Sequence, residues 1–133
     1  MKLEFPGAVP EIPVRDINEA AAYYENNLGF TVDWGGEELG LAGISKGNCR
    51  MCLANSDYRK ERRNVGPVLI WLNLQSKDEV NDLYRLWSRS KAQLISEPES
   101  KPWGLHEFMA KDPDGNLFRV FHDLETPKIC NAA

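Results

Sequence analysis

Apolar and polar positions run through the same order twice along the chain. Residues 8–14 (AVPEIPV) read as extended, because Pro10 and Pro13 exclude a helix and suit a first or edge strand. Asp16 with Glu19 three positions on forms a capping box. Ile17, Ala20, Ala21, Tyr24 and Leu28 then recur at helical spacing, giving one apolar stripe that Gly29 ends. FTVDW (30–34) alternates as a strand, Gly35-Gly36 is expected to turn the chain, and residues 39–46 and 49–54 make two more strands joined at Lys46-Gly47-Asn48.

After a polar, charged stretch at 55–66 (NSDYRKERRNVG) the order restarts. PVLIWLNL (67–74) is an apolar strand expected to be buried on both faces. Ser76 and Glu79 make a second capping box, and Val80, Leu83, Tyr84 and Trp87 repeat the helical stripe. A short strand at 92–96 and a loop at 97–104 follow. Strands at 105–111 and 116–122 are joined by Asp112-Pro113-Asp114-Gly115, strong turn chemistry. The tail after Leu124 has no pattern. Asp16 and Ser76, Glu19 and Glu79, and Tyr24 and Tyr84 each stand sixty positions apart, so the repeat reads as a duplication. The expected architecture is one α+β domain, 1–133, of two β-α-β-β-β modules: module one at about 8–54, a linker at 55–66, and module two at about 67–123. The helix of such a module covers one sheet face; the other must be covered or must bind something.

Composition narrows the function classes. At 133 residues the chain is one domain's worth and needs no disulfide or metal to fold. A net charge of −4 argues against a general nucleic-acid binder. No apolar run approaches the roughly 20 residues of a membrane span. The N-terminus lacks the apolar core of a secretory signal and the cysteines are odd in number, so the expected compartment is the cytoplasm.

Two stretches carry a family resemblance: PEIPVRD (10–16) running into AYYENNLGF (22–30), and WGLHEFMAKDPDGNLFR (103–119). They resemble the vicinal oxygen chelate superfamily, which holds glyoxalase, extradiol dioxygenases, and fosfomycin- and bleomycin-resistance proteins. The match spans about 8–125. It implies paired modules whose curled mixed sheets form a cup for a ligand, and a homodimer. Metal-using members hold a divalent ion with His and Glu side chains. Carried onto this chain, their seats fall at Val9, near Leu69, at Arg119, and at Met51 or Cys52. Valine and leucine have no lone pair and arginine is a fixed cation, whereas such ions take imidazole or carboxylate. No metal and no other cofactor is therefore expected.

Alternation puts Glu107 and Met109 on the face that carries Leu117, Arg119 and Phe121. Arg119 is expected to pair with Glu107 across the hairpin, either neutralising the floor of the cup or meeting a ligand. Trp71 lies two residues from Leu69 and is placed to line the cup. Trp103 sits in a Pro-Trp-Gly loop with no evident core role, and bleomycin-resistance proteins have a Trp-Gly there and an arginine where Arg119 stands. Trp71, Trp103, Glu107, Met109 and Arg119 are thus the candidate ligand-binding residues, with no catalytic residue. Other features have plainer readings. Trp87 belongs to the core. Cys49 and Cys52 point to opposite faces of one strand. His106 and His122 point away from the candidate face and show no triad arrangement. The run Arg59–Arg63 reads as a solvated linker face, or as a basic clamp that would suit cationic bleomycin poorly. The favoured function is metal-independent sequestration of a small organic molecule, a bleomycin-type drug among the candidates. The alternative is a metal-dependent lyase or isomerase of glyoxalase or dioxygenase type.

Overall fold

Both helices begin at the capping residues. Asp16 Oδ1 accepts the amide hydrogen of Glu19 at 2.9 Å, and Ser76 Oγ accepts that of Glu79 at 3.0 Å. In the second helix the Glu79 carboxylate reaches back to the Gln75 amide at 3.0 Å. Each cap satisfies an N–H that the first turn leaves without a helical partner.

The computed structural model describes residues 3–59 and 66–124. It consists of two units that divide between Pro67 and Val68. The first runs β1 (Glu11–Pro13), α1 (Ile17–Asn26), β2 (Thr31–Gly36), β3 (Leu41–Lys46) and β4 (Cys49–Ala54). Its sheet order is β1-β4-β3-β2, with β1 parallel to β4 and the other pairs antiparallel. Ile12, Ala42, Ile44, Met51 and Leu53 are buried on the same side as Ile17, Ala20, Tyr24 and Leu28 of the helix segment. Tyr24 meets Phe30 edge to face at 5.7 Å.

The second unit runs β5 (Leu69–Asn73), α2 (Lys77–Arg89), β6 (Gln93–Leu94), β7 (Glu99–Ser100), β8 (Leu105–Lys111) and β9 (Leu117–Asp123). Its order is β5-β9-β8-β6, with β7 also on β8 and with β5 parallel to β9. Phe108 is the hub on the helix side, taking the edges of Tyr84 at 5.3 Å and Trp87 at 5.8 Å. The architecture is α+β, two β-α-β-β-β modules with mixed sheets, the second carrying β7 as an addition. No helix among the described residues is long and apolar enough to cross a membrane.

The 112–115 turn is built as a small polar core. Asp112 is 1% exposed, and its Oδ1 accepts from the amides of Asp114 and Asn116 at 2.8 and 2.9 Å. Its Oδ2 accepts from Asn116 Nδ2 at 2.9 Å. Asn116 Oδ1 in turn accepts from the Val68 amide at 2.9 Å, tying the hairpin to the approach of β5. Gly115 has φ +87°, where a side chain would be strained.

Four expectations are corrected. Gly35 and Gly36 continue β2; the turn follows at 37–40. The strand at 67–74 is not buried on both faces: Leu69 and Trp71 are 44% and 52% exposed, because β5 is an edge strand with a helix on one side only. The loop at 97–104 contains β7, which pairs with β8. Arg59 is buried rather than solvated, its Nε donating to the Ala54 carbonyl at 3.0 Å. Asn55 Oδ1 caps the same turn from the Tyr58 amide. The rest of the Arg59–Arg63 run and the tail after Leu124 lie outside the described residues.

Candidate functional site

In the second unit the residues facing the helix are buried, and the alternate residues make the opposite, more open face. Register brings them side by side: Trp71 beside Arg119, Arg119 beside Met109, and Phe121 beside Glu107. Arg119 is the centre. Its guanidinium carbon lies 4.8 Å from the centroid of the Trp71 ring, within cation–π range. Trp71 meets Phe121 edge to face at 5.2 Å. On the other side Arg119 Nη1 is 3.7 Å from Glu107 Oε1, an ion pair longer than a hydrogen bond. Glu107 Oε2 accepts from Trp103 Nε1 at 3.3 Å.

The result is one contiguous row: Phe121, Trp71, Arg119, Glu107, Trp103. Exposure varies along it. Trp71 and Trp103 are 52% and 58% exposed, whereas Glu107 is 4% exposed. The Arg119 Nε is buried and has no hydrogen-bond partner among the described residues. A buried donor left without an acceptor is unusual and costly. Met109 flanks Arg119, held by its backbone: its amide donates to Ser96 Oγ at 2.9 Å, and its carbonyl accepts from the Ile95 amide at 2.8 Å. Lys101 Nζ stands 5.9 Å from the Trp103 ring centroid. The arrangement offers two open indole surfaces flanking an Arg–Glu pair. It can stack a flat unsaturated molecule and give or take hydrogen bonds at the centre.

All five candidate residues therefore lie on this face or at its edge, and four of them touch in series. The expected Glu107–Arg119 pair is present, as diagonal neighbours across the hairpin.

The metal seats can be tested in the same way. In the first unit Cys52 lies between Glu11 and Gly43 in register, whereas Met51 is 1% exposed among the core residues. Pairing thus assigns the uncertain seat to Cys52, the counterpart of Arg119. Burial pushes the Cys52 thiol up, and Glu11 adds to this while Arg50 opposes it, so the thiolate is disfavoured. Burial likewise raises Cys49. Among the described residues no three His, Cys, Asp or Glu side chains cluster to hold an ion. Val9, Cys52, Leu69 and Arg119 do not make a donor set for a divalent metal.

Trp34 lies over Gly43, where any larger residue would displace the indole. One sequence reading needs revision here. His106 is not isolated from hydroxyls. Its Nδ1 is 2.9 Å from Ser100 Oγ and its Nε2 is 2.8 Å from Asn81 Oδ1. The reading missed this because Ser100 belongs to the unexpected strand β7 and Asn81 to α2. His122 has a structural partner, its Nδ1 standing 3.0 Å from the Leu74 carbonyl.

Comparison with known proteins gives the family and the fold. Residues 8–120 match the model of the Glyoxalase/Bleomycin resistance protein/Dioxygenase superfamily. The chain superposes on a glyoxalase/bleomycin resistance protein/dioxygenase from Nocardioides with a TM-score of 0.74 at 19% identity, covering 93% of this chain and 87% of that one. It is also similar to the bleomycin-binding protein of bleomycin-producing Streptomyces verticillus in complex with copper(II)-bleomycin (TM-score 0.68, 23% identity, 90% and 97% covered). A bleomycin-binding protein complexed with bleomycin superposes with a TM-score of 0.69 at 25% identity, covering 90% and 99%. No curated protein matches the sequence.

Proposed function

The chain belongs to the glyoxalase/bleomycin resistance protein/dioxygenase superfamily, and from that membership we propose that it is a metal-independent binding protein of bleomycin-resistance type, which sequesters a small organic molecule and breaks no bond in it. The observation that carries the reading is the row Trp71–Arg119–Glu107–Trp103 on one open sheet face. A planar guest lies against the two indoles, and an acceptor on that guest meets the Arg119 guanidinium, whose side chain is 25% exposed. Stacking of this kind contributes about 0.5–1.5 kcal/mol per aromatic contact beyond the area buried. Similarity to two bleomycin-binding proteins makes bleomycin-type glycopeptides the first guests to try. The proposal includes a homodimer as the binding form.

Titration calorimetry with metal-free bleomycin tests it. Saturable heat is expected, with Trp71→Ala and Trp103→Ala each weakening binding about tenfold, equivalent to about 1.4 kcal/mol. No heat at high micromolar concentration rejects bleomycin as the guest. Elemental analysis of the purified protein tests the metal-dependent alternative, a lyase or isomerase. A stoichiometric transition metal that survives dialysis replaces sequestration with that reading. Sedimentation equilibrium gives the oligomeric state.

A further inference from the structure

The helix side of the same sheet carries a second arrangement that sequestration does not use. We propose that Ser100, His106 and Asn81 form a nucleophilic relay, giving the protein acyl-transfer activity toward small activated esters. The three residues come from three elements: Ser100 from the two-residue strand β7, His106 directly opposite it on β8, and Asn81 from α2. Ser100 Oγ to His106 Nδ1 is 2.9 Å, and His106 Nε2 to Asn81 Oδ1 is 2.8 Å. Both lie within the range a nucleophile, its base and the group orienting that base require.

Proton placement follows from the chemistry of the partners. A carboxamide oxygen only accepts, so Nε2 carries the hydrogen. In the neutral ring Nδ1 then holds a lone pair, and that lone pair faces the serine hydroxyl. Its surroundings disfavour the protonated ring. Burial lowers its proton affinity, and Lys77 of α2 and His122 of β9 push in the same direction. His106 is 5% exposed, while the serine that faces its Nδ1 is exposed, so substrate and water approach from the serine side.

The reaction balances with an ester and water. Ser100 Oγ bonds to the acyl carbon as its proton passes to Nδ1. The ester C–O bond breaks, and the imidazolium returns that proton to the departing alkoxide or phenoxide. Water then attacks the acyl-serine, giving one proton to Nδ1, which restores it to Ser100 Oγ as the carboxylic acid leaves. The edge position of Ser100 suits small acyl groups with good leaving groups rather than long substrates.

The probe is p-nitrophenyl acetate with the intact protein. The expected result is a burst of nitrophenolate equal to the protein present, with acetyl mapped by mass spectrometry to Ser100 after acid quench. Ser100→Ala, at an exposed position, should abolish the burst, since alanine has no oxygen to take the acyl group. Asn81→Ala should lower it about tenfold without changing the near-UV dichroism. Acetyl found on a lysine or the N-terminus instead of Ser100, absence of a burst, or an unchanged rate in Ser100→Ala each overturns the proposal. These results do not depend on whether bleomycin binds.

Discussion

Arg119→Met removes the cation at the centre of the binding row while keeping most of its bulk. Two unit charges 3.7 Å apart attract by about 4 kcal/mol at the effective dielectric of a partly buried site. Little of that is net stability, because both groups gave up water and the Arg119 side chain remains 25% exposed. Breaking the pair from one side is a different matter. Glu107, with its side chain 5% exposed, would keep a charge facing the Trp103 Nε1 hydrogen at 3.3 Å and no cation. The cation–π contact with Trp71, about 1 kcal/mol, is lost as well. Together these put the cost of Arg119→Met at about 3 kcal/mol, the low end for a broken buried pair. In urea, with a slope of about 1–3 kcal/mol per M, the unfolding midpoint falls by about 1–3 M. Neutralising the partner too, in Glu107→Gln/Arg119→Met, should recover the loss to within about 1 kcal/mol, since neither charge is then stranded. An Arg119→Met midpoint equal to that of the parent, or a double variant as unstable as the sum of the singles, would refute the reasoning.

Asp112→Ala removes the acceptor of three hydrogen bonds in the 112–116 turn and should cost about 3 kcal/mol; for a chain of this size that lowers Tm by about 10 °C in a calorimetric scan. Folding pushes the His106 pKa down from its ordinary value of 6.5. Between the folded and unfolded values the unfolded chain binds more protons, so this group's contribution is complete above about pH 6.5 and declines as pH falls toward the folded value; His106→Gln should flatten that part of the stability–pH curve. Gly43→Val should drive the Trp34 indole off the sheet, seen as a red shift in tryptophan emission; an unshifted spectrum would mean the ring does not rest there.

Several features were legible because they are local. The capping boxes at Asp16 and Ser76 and the apolar stripes between Ile17 and Leu28 and between Val80 and Trp87 depend on spacing along one helix, and the helices start at those caps. Asp112 to Gly115 determines a turn and its register, and period-two alternation then puts Glu107 and Arg119 on one face. The reading failed where burial is conferred by neighbours. An apolar run such as 67–74 looks alike whether one face or both are covered, and only the edge position of β5 leaves Trp71 open. Arg59 looked solvated because nothing near it in sequence shows that it folds back onto the Ala54 carbonyl.

From the chain alone came two β-α-β-β-β modules and the Glu107–Arg119 pair, since residue identity and local periodicity suffice for each; the family resemblance added metal seats, three of which fall on Val9, Leu69 and Arg119. Tertiary structure decided what stands next to what. Parallel pairing of β5 with β9 sets Trp71 beside Arg119, the loop before β8 turns the Trp103 N–H onto Glu107, and β7 with α2 closes on His106 from both sides. Those contacts join elements remote in sequence. Their register follows from which side chains become buried and which backbone groups pair when the chain closes, information that no stretch of sequence carries by itself.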